Sequence, residues 1–239
     1  MTEDEIKSAP LPSVRRLPVY LRLLYELKAG GQESVSCPLI ADELGLVSVQ
    51  VRKDLAITGI VGKPKVGYQT SELISAIESF LGWNNTRDAF LVGVGSLGTA
   101  LLGYEGFGAS NLNIVAGFDN NPKKVGKIIH GKKVMPMEKF TNLVRRMHIL
   151  IGILTVPAPA AQGIADVMIG AGIRAIWNYT PGSLRVPDSV IVEDVRLASS
   201  LAALSSRLAE VLRKEPVKRA DLLPPTAKEA VRWTKNKKK

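Results

Sequence analysis

The spacing of apolar positions in the first part of the chain predicts helices separated by glycine. Between residues 13 and 29 apolar side chains recur every three or four positions, the spacing of one helix face. A second, short helix is predicted for residues 37–44, because Ser36 can cap its first turn and Gly45 can end it. A third is predicted to begin after Ser48, a further capping residue, and to end before the next glycine.

The third helix has an apolar face and a polar face. Val47, Val51 and Leu55 share the stripe that is predicted to face the core. The positions that project outward or flank that stripe are Val49, Gln50, Arg52 and Lys53. Three helices with a tight glycine-containing turn between the second and third are typical of a helix-turn-helix.

Two short β-prone segments follow, at residues 60–61 and 68–70, around a loop of glycine, proline and lysine. They predict a hairpin with Lys63 and Lys65 at its tip, which is a wing. A recognition helix fits the major groove, where its polar side chains reach base edges, and wing lysines can contact the phosphate backbone. The pattern also fits a three-helix packing module with solvated charges, and the residues alone leave both interpretations open.

A linking helix is predicted for residues 71–81, and the break after it indicates a domain boundary near residue 85. A buried strand then ends in GVGSLG at residues 93–98. This G-x-G-x-x-G spacing is typical of a dinucleotide-binding turn, which needs a tight turn, close approach of a pyrophosphate and helix–strand packing. Asp119 follows the next strand, 21 residues past Gly98, where a carboxylate binds the ribose 2′-hydroxyl.

A carboxylate at this position repels a 2′-phosphate, so NAD is favoured over NADP, although Lys123 and Lys124 nearby weaken that preference slightly. Two more strands are predicted at residues 149–154 and 173–177, with a helix at 158–171 between them. Ligands bind at the carboxyl ends of parallel strands, so the residues after these strands are candidate contacts. They are Thr155, Val156, Asn178 and Tyr179.

A last strand at residues 190–193 and a long helix at 195–212 complete the predicted elements. The helix carries apolar residues on most faces, so we expect a partner subunit to bury part of it. Residues 213–239 hold ten Lys and Arg against three acids and contribute +7 of the net charge of +10. This composition predicts a disordered tail that can make non-specific phosphate contacts.

Composition restricts the class of protein further. No run approaches about 18 uncharged apolar residues, so no membrane span is expected, and the acidic N-terminus lacks a signal-peptide core. The single cysteine, Cys37, excludes a disulfide framework and fits a reducing cytoplasm. No substrate domain follows the nucleotide-binding half, and His130 and His148 lie in no catalytic or metal-binding pattern. We therefore expect a nucleotide-binding module joined to a DNA-binding module, with no metal and no catalytic residue.

Several segments, spread in order over residues 13–213, together resemble the Rex family of redox-sensing transcriptional repressors. They are residues 15–22 (RRLPVYLR), 50–55 (QVRKDL), 62–68 (GKPKVGY), 93–98 (GVGSLG), 103–108 (GYEGFG), 155–157 (TVP) and 178–181 (NYTP). The resemblance implies a cytoplasmic homodimer that binds palindromic operator DNA when NADH is low. It further implies that NADH closes the dimer and releases the DNA.

The expected fold is α/β, with a Rossmann-type parallel sheet domain preceded by an α-rich winged-helix domain and followed by a C-terminal helix swapped between subunits. The winged-helix domain with its linker is expected at residues 1–85 and the NAD(H)-binding domain at residues 86–194. The dimerising helix is expected at residues 195–213 and the basic tail at residues 214–239. The expected NAD(H) contacts are Gly93, Val94, Gly95, Ser96, Leu97, Gly98, Tyr104, Asp119, Asn120, Lys124, Thr155, Val156, Pro157, Asn178 and Tyr179. The expected DNA contacts are Arg16, Ser48, Gln50, Arg52, Lys53, Lys63 and Lys65.

The resemblance also implies a relay between the two sites, in which Arg22 and Tyr104 meet an acid after the last strand. Here the family's Asn-Val-Asp-like sequence is Asp194-Val195-Arg196, so an arginine occupies the acidic position. Arg196 would repel Arg22, and Asp194 is a candidate substitute. The rival hypothesis is an NAD- or CoA-type oxidoreductase with an N-terminal interaction module.

Overall fold

The computed structural model describes residues 9–64, 66–83 and 87–214, which form an N-terminal helical unit and a C-terminal sheet. The expected contact Lys65 and the predicted tail from residue 215 onward lie outside the described residues. The elements of the N-terminal unit are α1 (Leu11–Ala29), β1 (Ser34–Val35), α2 (Cys37–Leu44), α3 (Ser48–Ala56), β2 (Tyr68–Gln69) and α4 (Thr70–Leu81).

One hydrophobic core joins the helices of the N-terminal unit. Helix α1 buries Leu17, Leu21 and Leu24, which lie on one helix face, and α3 adds Val51 and Leu55 to the same cluster. Residues from α2 and α4 complete this core. The apolar spacing of the sequence thus predicted most of the buried positions.

The ends of α2 follow the predicted capping chemistry. The Ser36 hydroxyl accepts a hydrogen bond from the Leu39 N–H at 3.3 Å, and Gly45 ends the helix with a left-handed backbone. Cys37, the first residue of α2, is buried and unbridged. Its small thiol packs in the core as an apolar group.

The start of α3 differs from the prediction. Ser48 is the first helical residue and caps nothing, because Val47 occupies the N-cap position. Val47 is 65% exposed, so its predicted place in the core is wrong. Its backbone is extended (φ −94°, ψ 128°), and helical periodicity therefore does not apply to it.

The wing forms with a different strand partner from the one predicted. Lys63 and Gly67 exchange two backbone hydrogen bonds of 2.7 and 2.9 Å, which close the tip of the loop. Strand β2 then pairs antiparallel with β1, and residues 60–61 form no strand. Strand β1 has only two residues, too few for an alternation of apolar and polar positions to reveal it.

The C-terminal unit is a seven-stranded sheet in the order β5-β6-β4-β3-β7-β8-β9, parallel except for the edge strand β5. Its strands are β3 (Arg87–Val92), β4 (Leu112–Phe118), β5 (Ile128–Ile129), β6 (Lys132–Met135), β7 (Ile151–Leu154), β8 (Ala175–Asn178) and β9 (Ile191–Asp194). Its helices are α5 (Ser96–Leu102), α6 (Phe140–Met147), α7 (Ala158–Ala171) and α8 (Leu197–Lys214), with 3₁₀ turns at Glu105–Ser110 and Met137–Lys139.

Strand β3 lies at the centre of this sheet and is packed on both faces. Phe90 meets Phe118 and Phe140 on one face, with ring centroids 4.9 and 6.0 Å away, and Leu91 packs with Ile153 on the other. The chain passes from β3 to β4 on one side and later returns to β7 on the other. The turn after β3 therefore lies at a topological switch point, where open α/β sheets bind ligands.

Three elements of this unit have no counterpart in the predictions, namely β5, β6 and α6. Strands β5 and β6 form a hairpin whose two turn residues, His130 and Gly131, both have positive φ. These strands are short, and β6 begins with two lysines, so their sequence shows no clear apolar alternation. Only their pairing next to β4 makes them part of the sheet.

Helix α8 ends the described chain with apolar side chains uncovered. Leu201, Leu204, Leu208 and Val211 are each more than half exposed. They recur at alternating intervals of three and four residues and form one stripe along the helix. No helix of the part described here is long and apolar enough to cross a membrane.

Candidate functional site

The glycine turn runs from the end of β3 to the start of α5 and packs against the residue after β7. Gly93 has a φ of +100°, and a Cβ there would stand 2.8 Å from the carbonyl carbon and oxygen of Thr155. A Cβ on Gly98 would collide with the carbonyl oxygen of Gly93. A Cβ on Gly95 would meet nothing within 4 Å, so the outer face of the turn is open. The turn thus has the close packing and the open face that a pyrophosphate cradle needs.

Residues after β7 support this turn from below. The hydroxyl of Thr155 donates to the carbonyl oxygen of Gly93 at 2.6 Å, and the side chain of Val156 packs beside the same glycine. Pro157 precedes α7 in an extended conformation. Ser96 and Leu97 are exposed in the first turn of α5, which no side chain caps. The expected contacts from both loops therefore meet at one edge of the sheet.

Asp119 connects the end of β4 to the glycine turn. Its Oδ2 accepts a hydrogen bond from the backbone N–H of Val94 at 2.9 Å, and its Oδ1 accepts one from the N–H of Asn121 at 2.8 Å. Lys124 also pairs with Oδ2, at 3.1 Å, while Asn120 is exposed beside it. Each carboxylate oxygen offers more than one lone pair, so the group can still accept a ribose hydroxyl.

Asn178, the last residue of β8, has its whole hydrogen-bonding capacity used inside the chain. Its Oδ1 accepts from the N–H and hydroxyl of Thr180, and its Nδ2 donates to the Gly182 carbonyl and to Asp194 Oδ1. The side chain is fully buried. It therefore organises the loop after β8, and the expected contact of its side chain with the cofactor is corrected to this supporting role.

An aromatic row runs beside the carboxyl end of β8. Tyr104, Phe107, Trp177 and Tyr179 follow one another with ring centroids 4.9, 5.5 and 5.2 Å apart. Tyr104 is mostly exposed at one end of the row. Burial, and then the neighbouring Tyr104, raise the pKa of Tyr179. The row brings the two expected tyrosines together and adds Phe107 and Trp177, which the sequence motifs did not indicate.

Two of the predicted relay residues, Asp194 and Arg196, form a local group at the end of β9. Arg196 pairs with Asp194 at 3.0 Å and donates to the Ser183 hydroxyl at 3.1 Å. The hydrogen bond from Asn178, together with Arg196 and against partial burial, lowers the pKa of Asp194. The charge of Arg196 is thus balanced by its own neighbour. Among the described residues Arg22 contacts neither of these two side chains.

A different arginine of α1 reaches the C-terminal unit. The guanidinium of Arg15 pairs with the carboxylate of Glu193 on β9 at 2.7 Å. Glu193 directly precedes Asp194, so this ion pair ends one residue from the group that holds the loop after β8. No sequence motif indicated the pair, because its members stand 178 positions apart.

The expected DNA contacts on α3 and in the wing are exposed or half-buried. Arg52 and Lys53 are exposed, Gln50 and Ser48 are half-buried at the start of the helix, and Lys63 lies in the closed wing loop. The exposed apolar side chains near them are Val47, Val49, Val61 and Val66. Polar, basic and methyl groups at the start of such a helix suit the edges of base pairs and the phosphates beside them.

Arg16, one of the expected DNA contacts, binds a carboxylate of its own unit. Its Nε and Nη2 donate to the two oxygens of Asp54 at 2.6 and 2.7 Å, and the Tyr20 hydroxyl donates to the same carboxylate at 2.6 Å. Asp54 is almost completely buried. The guanidinium therefore neutralises a carboxylate inside the N-terminal unit, a contact that the sequence motifs had not indicated.

The two histidines have backbone roles. His130 turns the β5–β6 hairpin and lies beside Gly103, while His148 ends α6, and both have a left-handed backbone. Across residues 9–64, 66–83 and 87–214 no three His, Cys, Asp or Glu side chains come together to hold a metal ion.

Comparison with known families matches each half of the chain separately. The family described as a putative DNA-binding protein N-terminus matches residues 9–56, and the CoA binding domain family matches residues 84–182. The two matched segments correspond to the helix-turn-helix and to the sheet with the glycine turn.

Several similar proteins are named as redox-sensing transcriptional repressors, and similar solved structures include a Rex-family repressor, RSP. The redox-sensing transcriptional repressor Rex of Treponema denticola is 50% identical over 204 residues, covering 85% of this chain and 96% of its own length. The Rex protein of Bacteroides fragilis is 42% identical, covering 83% of this chain and 90% of its own. The crystal structure of RSP with beta-NAD+ and operator DNA has a TM-score of 0.80 at 36% identity and covers 87% of this chain and 99% of that one.

RSP in complex with beta-NADH gives a TM-score of 0.78 at the same identity. The predicted winged-helix and Rossmann-type architecture is confirmed by these matches, and so is the prediction of a regulator over an enzyme, since the relatives are named as repressors. This chain belongs to the Rex family of redox-sensing transcriptional repressors.

Proposed function

We propose that this chain represses transcription by binding operator DNA through its N-terminal unit and releases the DNA when NADH rises. One observation carries the proposal above the others. A helix-turn-helix and a dinucleotide-type turn occur in one chain that matches, over 87% of its length, a repressor solved with NAD+ and operator DNA. The rival oxidoreductase hypothesis lacks such support, because the relatives are named as repressors.

We propose that the N-terminal unit contacts DNA through α3 and the wing. Gln50, Arg52 and Lys53 supply groups for base edges and phosphates, and Lys63 and Lys65 supply charge for the adjacent backbone. The hydrogen-bonded tip of the wing supports this role, since a closed loop holds Lys63 at a defined position.

We propose that the glycine turn, Asp119 and the aromatic row together bind NAD(H). The open face at Gly95 accommodates the pyrophosphate, and Asp119 accepts the adenosine ribose hydroxyls. Tyr104 and Tyr179 stand at the two ends of the aromatic row, which offers flat faces to a nicotinamide ring. When bound, the cofactor supplies only a redox signal, and the residues of this chain orient it.

We propose that two copies of the chain associate through α8. The stripe of Leu201, Leu204, Leu208 and Val211 has the alternating three- and four-residue spacing of a helix that packs on a second helix. Residues 1–85, 86–194 and 195–213 then act as the DNA-binding, nucleotide-binding and dimerising parts of each protomer. A two-fold symmetric dimer suits a palindromic operator.

The proposal is tested with the full chain and a duplex that it selects from a random DNA pool. Fluorescence anisotropy should show operator binding that weakens by about tenfold or more at saturating NADH, within the usual range of allosteric coupling. NAD+ at the same concentration should weaken it less. A protein that selects no duplex, or whose operator affinity is the same with NADH, would contradict the proposal. Turnover of NADH with a panel of substrates would instead support the oxidoreductase.

A further inference from the structure

A buried carboxylate, Asp54, lies on the proposed recognition helix between its core face and the positions of Gln50 and Lys53. Asp54 follows Lys53, which is exposed, and precedes Leu55, which is in the core. Only 2% of the Asp54 side chain is exposed. Burying a carboxylate is unfavourable unless charged and hydrogen-bonded partners surround it. The partners of Asp54 therefore indicate its role.

All of these partners come from one face of α1. Arg16 donates one hydrogen bond to each oxygen of the Asp54 carboxylate, and the Tyr20 hydroxyl donates to Oδ2. Ser13 stands behind Arg16, its hydroxyl oxygen 3.4 Å from the guanidinium. Positions 13, 16 and 20 lie on consecutive turns of one helix face. The carboxylate therefore fixes α3 against two turns of α1.

The other attachment of α3 is less directional. Val51 and Leu55 hold it in the core, and hydrophobic contact has little preference for orientation about the helix axis. A bidentate guanidinium–carboxylate contact has a strict planar geometry. The rotation of α3 about its axis, and hence the direction of Gln50 and Lys53, depends on this polar contact.

We propose that Asp54, Arg16 and Tyr20 form a positioning cluster that sets the orientation of α3 for operator recognition. The cluster acts through Asp54, and none of its members touches DNA. This inference rests on the proposed function, namely operator binding by the N-terminal unit. It concerns selectivity, because readout of base edges needs a defined orientation, whereas attraction to phosphates depends mainly on charge.

Tyr20→Phe is the first test, since Tyr20 is fully buried and cannot reach DNA. With the full chain, we expect operator affinity to fall by about tenfold, as for loss of a hydrogen bond to a charged group. Affinity for a random duplex of equal length should stay within about twofold. Tyr25→Phe is the matched control, because Tyr25 is also on α1 but its hydroxyl bonds Glu78 on α4. The control should leave both affinities unchanged.

Arg16 is tested by the salt dependence of operator binding. Arg16→Gln should weaken operator binding and leave the slope of log affinity against log salt as in the wild-type protein. A slope smaller by about one would mean that Arg16 neutralises a phosphate, which overturns the inference. Arg16→Lys keeps the charge and should still lose operator selectivity, because lysine cannot form the bidentate contact.

The outcomes separate this inference from the proposed function. If the wild-type protein does not select operator over random DNA, the proposed function fails. If it does, and Tyr20→Phe and Arg16→Lys select equally well, the positioning cluster is refuted and the proposed function stands. Equal loss of affinity for both duplexes would also refute it, since that result indicates general unfolding. NADH affinity, measured on each variant, should be unchanged.

Discussion

Asp54 keeps its charge inside the N-terminal unit because Arg16 and Tyr20 occupy both of its oxygens. Burial by itself raises the pKa of a carboxyl group, but here the hydrogen bonds from Arg16 and Tyr20 outweigh it and the pKa of Asp54 is lowered. Burial and the bond to Asp54 raise the pKa of Tyr20, so the phenol remains protonated. The cluster is therefore a stable donor–acceptor set at neutral pH.

A pH dependence of stability follows from this lowered pKa. The contribution of Asp54 is complete above its pKa in the unfolded chain, near 4, and is lost as the pH falls through the lower pKa of the folded state. We expect Asp54→Asn to lose about 2 kcal/mol of stability at pH 7, because Arg16 is left without its charge partner. Calorimetric unfolding should show the difference from wild type shrinking as the pH falls below the pKa of Asp54 in the unfolded chain. An equal loss at pH 7 and below that pKa would contradict this account.

The carboxylate of Asp119 gives a second prediction at the scale of the residue. Asp119→Asn keeps an acceptor oxygen but removes the charge, so NADH affinity should fall by about tenfold and discrimination against NADPH should narrow. Titrations that follow the intrinsic fluorescence of NADH and of NADPH measure the two affinities. Asp88→Asn is the matched control, since Asp88 is exposed at the start of β3 and accepts a hydrogen bond from Asn113 on β4. If both variants bind NADH equally well, Asp119 does not hold the ribose.

At the scale of elements, α8 is the helix whose role is least explained by one protomer. Its apolar stripe is exposed along four positions, from Leu201 to Val211. Exposed apolar stripes of this kind usually mark an interface. The helix also begins directly after β9 and the Arg196–Asp194 pair, which would bring a partner subunit close to the cofactor edge of the sheet.

We expect Leu204→Glu together with Leu208→Glu to convert the proposed dimer to monomers. Two buried charges without partners would oppose association by several kcal/mol. Sedimentation velocity at micromolar concentration measures the change. Ser206→Glu is the control, because Ser206 lies on the face opposite the stripe and should leave the dimer intact. A wild-type protein that sediments as a monomer would show that α8 has another role.

At the scale of the whole molecule, an ion pair between Arg15 and Glu193 joins α1 of the N-terminal unit to β9 of the C-terminal unit. Arg15 precedes Arg16, which holds α3, and Glu193 precedes Asp194, which holds the loop after β8. A movement of one unit would therefore change the position of Arg15 or Glu193 in the other unit. Each of these residues is adjacent to a residue that orients α3 or the loop after β8. Such a route counts as coupling only when mutation alters the effect of one ligand on the other.

The NADH effect is the operator affinity without NADH divided by the operator affinity with NADH. Arg15→Glu should reduce this ratio by up to about fivefold, because an exposed ion pair contributes at most about 1 kcal/mol. Glu193→Arg should act similarly, and the double charge swap should restore the ratio. Anisotropy titrations of the full chain measure all four proteins. Lys28→Glu, an equal charge reversal at the end of α1, is the control and should leave the ratio unchanged. Additive effects of the two changes would refute the coupling role of this pair.

Features that depend on neighbours along the chain could be predicted from the amino-acid sequence. The Ser36 cap and the Gly45 end of α2, the glycine turn at residues 93–98 and the bounds of α7 follow from local hydrogen bonding and backbone sterics. The Rossmann-type and winged-helix classes could be predicted for the same reason, since each is encoded by motifs of a few residues.

Contacts between residues that are distant along the chain could be identified only from the folded protein. The pairing of β1 with β2, the place of β6 in the sheet and the exposure of Val47 depend on packing that no local pattern records. The Arg16–Asp54 and Arg15–Glu193 pairs join residues 38 and 178 positions apart. The sequence around a charged residue does not indicate which residue will pair with it. Short segments of sequence determine local backbone conformation, whereas the pairing of distant charges depends on the whole folded chain.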